Sequence, residues 1–156
     1  MSEPIAFTVL GRPQAKGSKR VLPIRSRTRV GDRRIVMVDS NKNAAPWETR
    51  VAEVALRTAT GGETAPLELL NGPVAVKLEF YFSRPRGHYG VGKNINRIRA
   101  SAPEHITAKP DIDKLARCVL DALTGTLIRD DAQVVVLDLR KQYGEPERLE
   151  ARMLAL

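Results

Sequence analysis

The 156-residue chain has one cysteine, two histidines, 4% aromatic residues and no long apolar run. A lone thiol, Cys118, excludes a disulfide framework. His88 and His105 are too few, and too far from cysteine, for the usual structural zinc site. No stretch approaches the roughly 18 apolar residues of a membrane helix. Met1-Ser2-Glu3-Pro4 lacks the basic start and apolar stretch of a signal peptide, so the expectation is a soluble cytoplasmic protein without a membrane partner. Hydrophobic residues at 42% and charged residues at 28% are ordinary for a globular chain and speak against wholesale disorder. The length suits a single domain over residues 1–156, able to bury a core without staples.

What the chain does have is positive charge in two places. The overall balance is 26 basic against 18 acidic side chains, a net of +8. Residues 12–34 hold nine basic groups against Asp32 alone, and residues 84–109 hold six against Glu104. The rest of the chain is therefore mildly acidic. A merely solubilising surface would intersperse both signs, so segregated basic segments point to a polyanion, and nucleic acid leads. Neither segment has the apolar face that an anchor on an anionic membrane requires.

Local patterns predict the elements in order. Ile5, Phe7 and Val9 alternate before Gly11 and Pro13, a strand signature. Val30-Gly31-Asp32-Arg33 suits a hairpin turn into Ile35–Val38. Pro46 suits a first helical position, and Trp47, Val51, Val54, Ala55 and Thr58 continue at helical spacing to Gly61-Gly62. Val74, Val76, Leu78, Phe80 and Phe82 alternate as one buried face of a strand. Residues 84–109 then lose periodicity, and a connection of about 25 residues is long enough to suggest function or disorder. A second helix opens at Lys109-Pro110-Asp111, carries Ile112, Leu115, Ala116, Val119, Leu120 and Leu123 on one stripe, and ends at Gly125. Cys118 lies beside that stripe as packing. Strands over about 132–141 and 148–155 complete the order β, α, β, long loop, α, β, β, a two-layer α+β (α/β) domain with a single mixed sheet and two main helices.

The carboxylates with chemical potential are Asp111 and Asp113 at the start of the second helix, and Asp130-Asp131 after it. Singly, Asp111 reads as a helix N-cap, Asp113 as a charge favoured by the helix dipole, and Asp130-Asp131 as a polar turn. A helix of about 14 residues runs roughly 20 Å, so the second pair meets the first only if the chain doubles back. Carboxylates weaken binding to a polyanion unless a cation intervenes, and three aspartates around Mg²⁺ resolve that conflict. Arg117 follows Asp113 by one turn and Asp121 follows Arg117 by another. Spacing alone leaves an ion pair on a solvated face and a guanidinium beside a phosphate equally open.

These residues resemble the RusA-type Holliday-junction resolvases, particularly their phage and prophage branch. Lys109 to Leu115, Val119 to Gly125 and Asp130 to Val134 are similar to that family's core in order and spacing. Arg84 to Tyr89, Gly92-Lys93-Asn94, Ser101-Ala102-Pro103 and, more loosely, Gly11 to Gly17 extend the resemblance. It implies a Mg²⁺-dependent endonuclease, with Mn²⁺ as the alternative ion. The enzyme would act as a homodimer that nicks opposed strands of a four-way DNA junction in recombination and repair, in a bacterial or phage-infected cell. It also implies that the metal falls to Asp111, Asp113 and Asp131, and that Arg117 stands at the family's active-site lysine. Lys114 stands where the family usually has asparagine, adding a cation beside those ligands. The expected DNA-contacting groups are Lys16, Lys19 and Arg20 in the first basic segment, with Arg84, Arg86, His88, Lys93 and Lys109 in the second. The rival readings are a non-catalytic nucleic-acid-binding protein on the same fold and a nuclease for other branched DNA.

Overall fold

A computed structural model describes residues 3–25, 33–62 and 68–156. Among the described residues six strands and two α-helices run in the order β1 (Ile5–Leu10), β2 (Lys19–Arg25), β3 (Arg33–Asp39), α1 (Ala44–Ala59), β4 (Val74–Phe82), α2 (Ile112–Leu123), β5 (Val134–Tyr143) and β6 (Arg148–Ala155). This is a mixed α+β fold. Strands β1, β6, β4 and β5 form one sheet in that order, while β2 and β3 form a separate antiparallel ribbon. The sequence pointed to a strand over Ile35–Val38, which falls within β3; the turn suggested before it, at residues 30–32, lies outside the described residues. No described helix is long and apolar enough to cross a membrane.

Alternation dictates the core. In β4 the residues at 74, 76, 78, 80 and 82 are buried and those between them half-buried, as the period of two demands. They meet Phe7 and Val9 of β1, and Leu149, Ala151 and Met153 of β6, on the same face. Over that face lie Trp47, Val51 and Ala55 of α1, and Leu115, Cys118, Val119, Ala122 and Leu123 of α2. Each such large side chain contributes roughly 1.5–3 kcal/mol by leaving water. The helix α1 begins at Ala44 rather than at Pro46. Proline is tolerated there because the first turn's N–H groups have no intrahelical acceptor. Likewise β5 starts two residues later than expected, because Asp131–Gln133 form a 3₁₀ turn.

Direction fixes where functional residues can lie. Strands β1 and β4 both run antiparallel to β6, and β5 runs parallel to β4. The carboxyl ends of β1, β4 and β5 therefore share one end of the sheet. A parallel neighbour needs a crossover, and residues 83–133, including α2, provide it. Lys141, near the end of β5, donates from Nζ to the carbonyls of Ala108 (2.8 Å) and Pro110 (2.9 Å), so α2 starts at this same end. The helix then runs back to the opposite end, where Leu70 N–H donates to Leu127 O and Leu70 bridges to Ile128 just before β4 begins.

Candidate functional site

The carboxyl end of the sheet gathers the cations. The segment after β1 turns there, with Arg12 paired to Glu147 at 2.8 Å and the Lys16 N–H donating to Lys114 O of α2 at 3.0 Å. A groove of about 390 Å³ opens between this segment and the start of α2, lined by Arg12, Lys16, Ser40, Lys109, Asp111 and Lys114. The ribbon β2–β3 rises from its rim. Its base is held by Asp39, whose Oδ1 accepts from Gly17 N–H (2.9 Å) and Asn41 N–H (2.8 Å). A Cβ at Gly17 would stand 2.1 Å from that oxygen, so only glycine fits. Lys19 and Arg20 are exposed on the ribbon.

Residues 84–109 are ordered by their own hydrogen bonds. Tyr89 bridges to Ile98, Gly90 N–H donates to Arg97 O, and Arg99 Nε donates to Tyr89 O at 2.6 Å. Arg84 donates to Pro103 O at 2.8 Å while its guanidinium lies 4.2 Å from the Tyr143 ring centre. Arg84, Arg86, Tyr89 and Arg99 line a second groove of about 780 Å³. Arg86, Lys93 and Lys109 are exposed. His88 turns inward instead, edge-on to Tyr143 at 5.6 Å, with its Nδ1 buried and unpartnered among the described residues.

The carboxylates divide between the two ends. Asp111 occupies the N-cap of α2, yet its side chain makes no capping bond. Its Oδ2 faces Lys114 Nζ at 3.2 Å. Asp113 and Arg117 are exposed one turn apart. Among the described residues Arg117 pairs with neither Asp113 nor Asp121, and Asp121 pairs instead with Lys16. At the far end Asp130 is committed to structure: its carboxylate accepts from Ala132 N–H at 2.8 Å, and Gln133 Oε1 accepts from the N–H groups of Arg129 and Asp130. Gln133 also ties the turn to Leu70 O and Gly72 O. Asp131 is left exposed.

Two rulers give the gap. The 12 residues of α2 span about 18 Å. From Val134 to Lys141 along β5 is about 23 Å. Asp111 and Asp131 of one copy thus lie on the order of 20 Å apart. Among the described residues no three His, Cys, Asp or Glu side chains gather as ligands of one ion. Carboxylate oxygens are the right donors for Mg²⁺, and at this end Asp111 and Asp113 offer two of them from the start of α2.

Beneath the groove lies a cluster that sequence reasoning missed. Lys16 Nζ pairs with Glu48 Oε1 and sits 2.9 Å from Asp121 Oδ2, clasping the N-terminal segment to both helices. Cys118 Sγ lies 3.5 Å from the same Glu48 oxygen. Glu48 is 32 residues from Lys16, and no local pattern announces such a partner. Lys141, which holds the start of α2, reads from the sequence only as a strand residue, and Tyr143, against which Arg84 packs, only as part of the connection to the last strand.

Together these features define an α+β domain that sets Asp111 and Asp113 within a cationic rim. The sequence family described as endodeoxyribonuclease RusA matches residues 21–153. The chain belongs to the RusA endodeoxyribonuclease family. It is also similar to the uncharacterized protein YqaN of Bacillus subtilis (strain 168), 30% identical over 149 residues, covering 94% of this chain and 92% of that relative.

The half-buried cluster around the buried Cys118 makes stability depend on pH. The Cys118 thiol is pushed from its ordinary 9.0 up to about 12, by burial first and then by the Glu48 charge and hydrogen bond. The unfolded chain releases that proton near the ordinary value, so the thiol's contribution is complete below about pH 9 and is lost as pH rises toward 12. Burial lowers the pKa of Lys16, but the hydrogen bonds and charges of Glu48 and Asp121 outweigh it and raise the ammonium above its ordinary 10.5. Its contribution also fades in alkali. Unfolding free energy from denaturant melts should therefore fall from about pH 9 upward, and Cys118→Ala should fall less steeply over the same range. Identical slopes would show that the thiol does not couple folding to pH.

Proposed function

We propose that this chain is a Mg²⁺-dependent endonuclease, with Mn²⁺ as the alternative ion, that nicks opposed strands of four-way DNA junctions as a homodimer in cytoplasmic recombination and repair. The observation that carries this reading is the acidic pair of half-exposed Asp111 and exposed Asp113 at the sheet end where both basic segments converge. Family membership supports the same chemistry.

The dimer is supported by the want, among the described residues, of a third carboxylate beside Asp111 and Asp113. Strand β5 is a sheet edge, and Val135, Val136 and Leu137 on it are 60%, 52% and 41% exposed. An open apolar edge invites another strand. If two β5 edges pair antiparallel with Val136 against its own copy, Val135 meets Leu137 and position 131 meets position 141. Lys141 is the residue that holds Pro110, next to Asp111. Asp131 of one copy then completes the acidic pair of the other, and two-fold symmetry makes two sites, one for each strand to be cut.

Asp111, Asp113 and the second copy's Asp131 would hold the ion. When bound, Mg²⁺ supplies a Lewis acid at the phosphate and lowers the pKa of water. Arg117, one turn beyond Asp113, offers a planar fork to the phosphate oxygens. Lys19, Arg20, Arg84, Arg86, Lys93 and Lys109 neutralise the backbone, which positions DNA without reading sequence. Lys16 braces the segment from beneath, and His88 packs under the loop.

A second reading, a DNA-binding protein without nuclease activity, is favoured by the Lys114–Asp111 ion pair, which places an ammonium where a metal would sit. A labelled four-way junction separates the two. We expect paired nicks with Mg²⁺, and binding without nicks with Ca²⁺. Loss of a group merely supporting a metal ligand costs about 10–100-fold, so Asp111→Asn, Asp113→Asn and Asp131→Asn should each cut nicking by more than about 100-fold while junction binding persists. Binding with no nicks under either Mg²⁺ or Mn²⁺ would favour the second reading.

Lys114 gives a finer test of the same site. Removing the competing ammonium by Lys114→Asn should lower the Mg²⁺ concentration for half-maximal nicking. An unchanged metal titration would mean that the ammonium gives way to solvent without cost.

A further inference from the structure

The ribbon β2–β3 carries apolar surface that nothing else in the described chain covers. Val21 and Met37 are directly opposed across the ribbon and are 58% and 61% exposed. On the other face Leu22 and Val38 are exposed as well. None of the four belongs to the core, and a two-stranded ribbon alone in water is at best marginally stable. An apolar cross-strand pair in that position needs an occupant.

Charge selects it. Residues 19–39 hold seven basic groups against Asp32 and Asp39, a net of +5. A second copy of the ribbon would bring the same charge and be repelled. A polyanion that also presents flat apolar surface satisfies both features, and base pairs beside a break in stacking are such a surface. Position matters too. The ribbon is anchored through Asp39 at the rim of the groove that holds Asp111 and Lys114, and Val21 stands about 7 Å along it from Lys19.

Building on the junction-nuclease reading above, we propose that the Val21–Met37 pair is a wedge that enters the branch point of the DNA and unstacks the base pairs there, while Lys19 and Arg20 hold the flanking phosphates. Methionine and aliphatic side chains enter base steps in this way in other DNA-bending proteins. The wedge assigns branch selectivity to the ribbon: an intact duplex must be unstacked at full cost, whereas a branch point is already open on one side.

The test is a four-way junction carrying 2-aminopurine at the branch point, bound in Ca²⁺, with a second junction carrying the probe inside an arm. Wild-type protein should raise the fluorescence of the branch probe and leave the arm probe unchanged. The double variant Val21→Thr with Met37→Thr keeps strand-forming character and should still bind, but lose the rise. Val21→Leu with Met37→Leu keeps the apolar pair and should retain it. An undiminished rise with the threonine variant would overturn the wedge, as would wild-type protein that binds and nicks the junction without any branch signal. A threonine variant that sediments as a monomer where wild type is a dimer would also overturn it, by assigning the face to a second copy. Failure of wild-type protein to bind the junction at all would remove the nuclease reading and the wedge with it.

Discussion

The parallel pairing of β4 with β5 governs the rest of the molecule. Two neighbouring strands that run the same way cannot be joined by a tight turn, so the chain must leave the sheet, cross its face and return. Here the return journey is residues 83–133. Its outward half is the cationic loop, its helix carries Asp111 and Asp113 at one end, and its final turn delivers Asp131 at the other. Because α2 runs antiparallel to β5, the length of the helix becomes the distance between the carboxylates. A protein with these strands antiparallel would have no reason to hold its acidic groups so far apart.

That separation explains the electrostatics. Asp111 lies among Arg12, Lys109 and Lys114 along the groove, and Arg117 stands one turn beyond Asp113, so cations compensate part of the negative charge at this end. Lys114 on Asp111 is the local form of this compensation. Asp131, at the far end, is the exposed member of a pair whose other member, Asp130, caps a turn. Below the site, Lys16 is held between Glu48 and Asp121, fixing the N-terminal segment against both helices and leaving the ribbon to project from a firm base. The division of labour between neighbouring basic residues is thus geometric: Lys16 faces inward, Lys19 and Arg20 outward.

Much of the fold was legible in the sequence because it rests on local periodicity. The alternation from Val74 to Phe82 and the stripe from Leu115 to Leu123 each need only their own residues, and both became core. Cys118 likewise reads as packing from its place beside that stripe. What was hidden depends on distant partners. The sheet order, with β6 between β1 and β4, comes from pairings across the chain. The apolar run from Val134 to Leu137 announces a strand but not that it is an edge. Asp130 and Asp131 are identical residues side by side, and only the hydrogen bonds of Gln133 and Ala132 tell the cap from the free carboxylate. The partners of Lys16 lie on two different helices, which no motif records.

The central claim is that each catalytic site draws Asp111 and Asp113 from one copy and Asp131 from the other. Its most direct measurement mixes two inactive proteins, Asp111→Asn and Asp131→Asn, allows the dimers to exchange, and assays nicking of a four-way junction. Random exchange leaves half of the dimers mixed, each with one intact site, so nicking should return to about a quarter of the wild-type level and consist of single rather than paired cuts. A mixture of Asp111→Asn with Asp113→Asn, whose lesions share one end, should stay silent. If the first mixture also stayed silent after proven exchange, the carboxylates would have to meet within one copy, and the account of the site would be wrong.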